Sequence, residues 1–190
     1  MASVPTVSMP TMIRARSFAI GALLALAGCA GPTSPPDLGG GSPARTIAAT
    51  VDKHVDGDTA WFTLEGSHRE KVRFIGVDTP ESTTQHEPFG KEASAYTASV
   101  LTIGRAVWLE LDVDERDRYG RLLAYVWLKE PQTADETEAR ESMLNAMLVG
   151  QGYATVLTVP PNVAYVDLFV ALQKEARDAA HGIWAPEGRD

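Results

Sequence analysis

The chain holds one cysteine, Cys29, in 190 residues. No intrachain disulfide can form, so packing alone must hold any fold together. Positive charge is scarce as well. Seventeen Lys and Arg stand against 25 Asp and Glu, a net charge of −8, a poor match to a protein that binds nucleic acid by bulk electrostatics. No apolar run is long enough to cross a bilayer comfortably; Phe18 to Ala27 is the best candidate and is too short. What is present is a globular composition, 44% hydrophobic and 22% charged, with enough apolar surface for one domain plus extras.

The first thirty residues read as a leader. Met12-Ile13-Arg14-Ala15-Arg16 is a basic segment ahead of the apolar run, and the run closes in Leu26-Ala27-Gly28-Cys29. Small residues before a cysteine resemble the bacterial lipoprotein signal, which implies that Cys29 is lipidated, that residues 1–28 are removed, and that the protein is tethered to a membrane in the cell envelope. An ordinary signal peptide that happens to contain a cysteine is the alternative, and gives a secreted protein. Residues 1–11 are superfluous to a signal, so Met9 or Met12 is an alternative start. Cleavage removes Arg14 and Arg16 and no acid, leaving 15 basic against 25 acidic residues and a net charge of −10. Residues 29–45 then form a linker rich in Gly, Pro and Ser. A folded domain is expected over 46–187.

Within it, alternating apolar residues predict strands over Thr46–Val51, Ala60–Leu64, Lys71–Val77, Ala106–Leu111 and Leu122–Leu128, with Gly57 and Gly66 in turns. Helical spacing predicts helices over Lys91–Ile103, Glu141–Val149 and Val163–Ala180. The acidic stretch Pro131–Arg140 reads as a solvated loop. Three strands, a helix, two strands and two helices suggest an α+β fold: a five-stranded OB-fold β-barrel with three packed helices.

Charges gather where the strands begin and stop. Asp56-Gly57-Asp58-Thr59 and Asp78-Thr79-Pro80-Glu81 flank strand ends, Arg73 lies inside the third strand, and Arg121 ends the turn Asp117-Arg118-Tyr119-Gly120-Arg121. Carboxylate and carbonyl oxygens suit a hard cation, and two arginines suit a phosphate. Each residue also has a plain reading: Asp-Gly is a common turn signal, Asp78 to Glu81 can be a cap and turn, and Arg73 can be half of a surface ion pair. Alternation puts Arg73, Ile75 and Val77 on one face. Arg73 and Asp78 therefore share a site only if a bulge or twist intervenes at Gly76.

Taken in order, VDGDT, VRFIGVDTPE, FGKEAS, DRYGRLLAYVW and LNAMLVGQGYA resemble the thermonuclease family of staphylococcal nuclease-like domains, over about residues 47–185. The resemblance implies an OB-fold barrel with three helices and a Ca²⁺-dependent endonuclease that hydrolyses DNA or RNA at the 5′ P–O bond to give 3′-phosphates. It implies Ca²⁺ on Asp58 and Asp78 with the Thr79 carbonyl, phosphate on Arg73 and Arg121, and Glu81 as general base. Two departures stand out. Leu157 and Val159 occupy the segment before Pro160-Pro161-Asn162 where the family often carries tyrosines that stack on a base. The domain is also acidic, with local positive charge confined to Arg73, Arg121 and their neighbours Arg116 and Arg118. These departures favour a second reading, a non-catalytic OB-fold lipoprotein that binds nucleic acid or a partner; the complete set of charged site residues favours the nuclease.

Overall fold

The computed structural model describes residues 45–83 and 87–186. The expected leader, the lipidation position Cys29 and the linker up to residue 44 lie outside the described residues.

Strands β1 (Thr46–His54), β2 (Thr59–Leu64) and β3 (Arg69–Phe74) form a meander, followed by the two-residue β4 (Val77–Asp78) and helix α1 (Gly90–Val100). Next come β5 (Ala106–Glu110), β6 (Leu122–Trp127), α2 (Glu136–Ser142), α3 (Leu144–Gly150), β7 (Thr155–Val156) and α4 (Val166–Asp178). Five strands close into a barrel in the order β1-β2-β3-β6-β5. Closure leaves the barrel itself without an open edge, and β4 pairs with β7 in a separate two-stranded sheet. The register is antiparallel throughout except between β3 and β6, which run parallel with Arg73 opposite Leu123.

The barrel is filled by alternate residues: Val51, Phe62, Val72, Phe74, Val107, Leu109, Ala124 and Val126 are all buried. Their neighbours in sequence point outward, as the two-residue strand period requires. One side of the barrel is closed by α3 and α4. Asn145 of α3 is fully buried; its Oδ1 accepts from the Val126 N–H at 2.9 Å and its Nδ2 donates to the Ile75 carbonyl at 2.8 Å. A buried amide that satisfies two main-chain groups ties α3 to β6 and to the turn after β3.

The three expected helices are present, and a fourth is added. Part of the acidic stretch read as a solvated loop is α2, capped by Asp135, whose side chain accepts from the Glu138 N–H at 2.8 Å. Glu138 reaches back to accept from the N–H groups of Gln132, Thr133 and Ala134. This Asp-x-x-Glu pattern is a variant of the capping box, a signal that the acidity of the stretch obscured. The chain breaks between α2 and α3 at Met143, which has ψ 120° and forms a single bridge with Trp127.

Candidate active site

The third strand ends earlier than alternation predicts. Phe74 is its last residue, Ile75 and Gly76 turn, and β4 resumes at Val77. Gly76 has φ +79°, and a Cβ there would lie 2.6 Å from the Phe169 ring, so only glycine fits the turn. The turn resets the alternation and brings Arg73 and Asp78 to one side. Arg73 Nη1 donates to the carbonyls of Phe74 (2.9 Å) and Val77 (2.7 Å), fixing the guanidinium plane across the turn. Its Nη2 then meets two carboxylates, Asp78 Oδ1 at 2.8 Å and Asp58 Oδ2 at 3.1 Å.

Asp58 arrives from the β1–β2 turn. It is 6% exposed, and such burial of a carboxylate demands partners. They are supplied: Thr59 Oγ1 donates to Oδ1 at 3.0 Å, and the Thr79 N–H and Oγ1 donate to Oδ2 at 3.0 and 3.2 Å. The turn is held by Asp56, whose Oδ1 accepts from the Asp58 N–H at 3.1 Å. Burial, followed by the charge of Asp58, pushes the Asp56 carboxyl up to about 6. Asp78 is also raised, first by burial and then by Asp58, Glu87 and Glu81, against the opposing pull of Arg73.

Arg121 reaches the same cleft from the β5–β6 turn. Its Nε donates to Asp117 Oδ2 at 2.6 Å, and its backbone N–H to Asp117 Oδ1 at 3.0 Å. Burial works to raise Asp117, but these bonds and one from the Tyr119 N–H outweigh it and hold the carboxyl below its usual value. Glu81 lines the same cleft. Its Oε1 accepts from the N–H and hydroxyl of Thr83, and its carbonyl is pressed against Gly90, where a Cβ would come within 2.6 Å of it.

The structure thus gathers Asp58, Arg73, Asp78, Thr79, Glu81 and Arg121 around one cleft of about 150 Å³. Two residues given no site role from sequence support it: Asp56, which lines the cleft and accepts from the Asp58 N–H, and Asp117, which lies outside the cleft and holds Arg121. Their signal was present in the Asp-Gly and Asp-x-x-Gly turn spacings.

Among the described residues, no three His, Cys, Asp or Glu side chains converge as a metal cage. Two carboxylates do converge, Asp58 and Asp78, on the point where Arg73 Nη2 stands. Four acids in the cleft face two arginines, and two of those acids are raised in part by their neighbours' charge. That local excess of negative charge, carried on hard oxygen donors, fits a divalent cation such as Ca²⁺ that takes its remaining oxygens from water and substrate.

Beside the cleft, sharing Arg73 and Arg121 with it, lies a more apolar depression of about 230 Å³. Leu157 and Val159 line it and are 42% and 59% exposed.

The family model of staphylococcal nuclease homologues matches residues 71–186. A thermonuclease of Staphylococcus intermedius is 42% identical over 137 residues, which is 70% of this chain and 74% of the relative. The thermonuclease of Staphylococcus hyicus is 38% identical over 138 residues, 71% of this chain and 74% of the relative. The endonuclease YncB of Bacillus subtilis (strain 168) is 34% identical over 149 residues, 76% of this chain and 64% of the relative.

Proposed function

This chain belongs to the family of staphylococcal nuclease homologues, and from that premise we propose that the rim cleft is the active site of a Ca²⁺-dependent endonuclease releasing 3′-phosphates. That the protein is a nuclease, with nucleic acid as its substrate, follows from its thermonuclease and endonuclease relatives. The observation that carries the finer reading is the meeting of Asp58 and Asp78 on Arg73.

Asp58, Asp78 and the Thr79 carbonyl would hold the Ca²⁺. Bound there, it supplies positive charge to a non-bridging oxygen of the scissile diester. Arg121, held through Nε by Asp117, keeps its terminal nitrogens for the charge that grows on the phosphoryl oxygens, and Arg73, anchored through Nη1 by two main-chain carbonyls, would join it by exchanging the Nη2 contacts to Asp58 and Asp78 for the phosphate. Glu81 orients a water and takes its proton as the oxygen attacks phosphorus. The P–O5′ bond breaks, the 5′ oxygen leaves and takes up a proton, and the upstream fragment keeps the phosphate.

The test is incubation of the purified protein with denatured DNA, with Ca²⁺ and with excess chelator. Fragments ending in 3′-phosphate should form only with Ca²⁺. Mg²⁺ should support little cleavage, because the smaller ion demands stricter octahedral geometry. Full activity in chelator would remove the metal from the reading.

The proposal extends to location. Leu26-Ala27-Gly28-Cys29 ahead of a Gly/Pro/Ser-rich stretch supports lipidation at Cys29 and an envelope lipoprotein. Cys29→Ser should shift the protein from the membrane to the soluble fraction. A variant that still fractionates with membranes rules the anchor out.

A further inference from the structure

Strand β3 carries more than one cation toward the cleft. Its residues alternate, with Glu70, Val72 and Phe74 buried and Arg69, Lys71 and Arg73 on the outer face. Alternate residues of a strand recur every ~6.6 Å, a step comparable to that between successive phosphates of an extended single strand. Register places Trp61 of β2 directly opposite Lys71, and Thr59 opposite Arg73. The half-buried Trp61 ring therefore lies on the same face as the row of cations.

The surface there is concave. A depression of about 350 Å³ is lined by Trp61, Arg69, Lys71, Tyr119 and Arg121 among others, and it meets the catalytic cleft at Arg121. The acid that lines it, Glu70, and the nearby Asp52 are already engaged. Glu70 accepts two bonds from Arg116, at 2.6 and 3.0 Å, and one from His68 at 2.8 Å; the Arg116 bonds hold its carboxyl below the usual value. Asp52 is paired with Arg69, whose guanidinium lies 5.4 Å from the Trp61 ring centroid. Lys71 and Arg118 have no carboxylate partner among the described residues, and Arg118 lies 4.8 Å from the ring centroid of the exposed Tyr119. In a chain of net charge −8, this is a patch of local positive charge with aromatic rings set in it. A groove that combines cations with stacking faces is what single-stranded nucleic acid requires.

We propose that this outer face of β2 and β3 is a second binding subsite, seating the single-stranded nucleic acid that flanks the scissile phosphate, with a base against Trp61 and phosphates along Lys71 and its neighbours. The proposal rests on the nuclease reading of the cleft. It accounts for how an acidic protein holds a polyanion: the strand follows one cationic row away from the catalytic centre.

The experiment is steady-state cleavage, by the full chain with Ca²⁺, of a single-stranded 12-mer and a trinucleotide at two salt concentrations. Trp61→Ala should raise KM for the 12-mer about 5- to 100-fold. Lys71→Gln should raise it too and lower the salt dependence by about one charge. Both should leave kcat and the trinucleotide almost unchanged. Trp61→Phe and Lys71→Arg should restore most of the loss, separating binding from folding. If the wild type cleaves both substrates and the variants match it on the 12-mer, the subsite is absent and the cleft reading stands. Equal losses on the 12-mer and the trinucleotide also overturn the subsite, since they place the effect in the cleft or the fold. If the wild type cleaves neither, the cleft reading fails and the subsite falls with it.

Discussion

Thr79 stands where a side chain on Gly57 would have to go. A Cβ on Gly57 would lie 2.7 Å from Thr79 Oγ1 and 2.8 Å from its Cβ and Cγ2. Because the glycine is bare, Thr79 can press against the β1–β2 turn and give both its N–H and its hydroxyl to Asp58 Oδ2. Thr97 Oγ1 of α1 donates to the Gly57 carbonyl at 2.6 Å from the other direction. The turn is thus held between the segment after β4 and helix α1.

Gly57→Ala should therefore push Thr79 off Asp58. A buried carboxylate would lose two donors, and the overpacked turn should cost about 1–3 kcal/mol. Thermal unfolding and nuclease rate should both fall, the rate by at least about tenfold if a displaced Asp58 no longer meets Asp78. A variant with wild-type stability and activity would show that the turn yields freely and that Thr79 is not a positioning contact.

Glu81→Gln keeps the size of the side chain and removes the proton acceptor. Turnover should drop about 10²–10⁴-fold, the usual range for a positioned acid–base group. Arg73→Lys and Arg121→Lys should also fail, because an ammonium cannot reproduce the planar fork that bonds Phe74, Val77 and two carboxylates, or Asp117. Rates near wild type in all three variants refute this cleft as the catalytic centre.

Glu138 gives a pH dependence with a defined sign. Backbone bonds from Thr133, Gln132 and Ala134 together outweigh the cost of burial and lower its carboxyl from 4.5 to about 2. A folded value below the unfolded one means that its stabilisation is present above pH 4.5 and is lost as pH falls from there toward about 2. Glu138→Gln should lose that increment, no more than about 1 kcal/mol at this partly screened site. The difference in unfolding midpoint between the two proteins should shrink as pH is lowered across the window. A difference that stays constant with pH places the effect in packing and not in the charge.

Leu157 and Val159 are exposed beside Arg73 and Arg121, where a ring could meet a substrate base. Leu157→Tyr combined with Val159→Tyr should lower KM more than it raises kcat, by about tenfold for one productive stack. The gain should persist at raised salt, where contacts made by charge fade. A double variant with unchanged KM means that the depression does not receive the base.

Much of this protein was legible along the chain. The five barrel strands follow from two-residue alternation and α1, α3 and α4 from helical spacing, because each pattern is set by residues within a turn or two of one another. The residue types of the site were legible too, since Asp58, Arg73, Asp78, Thr79, Glu81 and Arg121 stand in recognisable order. Part of Pro131–Arg140 is helical and not the expected solvated loop, because the Asp135–Glu138 capping pattern outweighs the acidic composition. Convergence, by contrast, came only with the fold. Asp58 meets Thr79 across 21 positions. Arg121 joins Arg73 because β6 runs parallel to β3 with Leu122 beside Val72, and Arg73 meets Asp78 because the chain turns at Gly76 above Phe169. The cationic row of β3 and the Trp61 ring share a face only through the register of β2 on β3. Pairing, register and turn direction are settled by which arrangement buries the barrel interior and satisfies its backbone, a condition imposed by residues far apart in the chain.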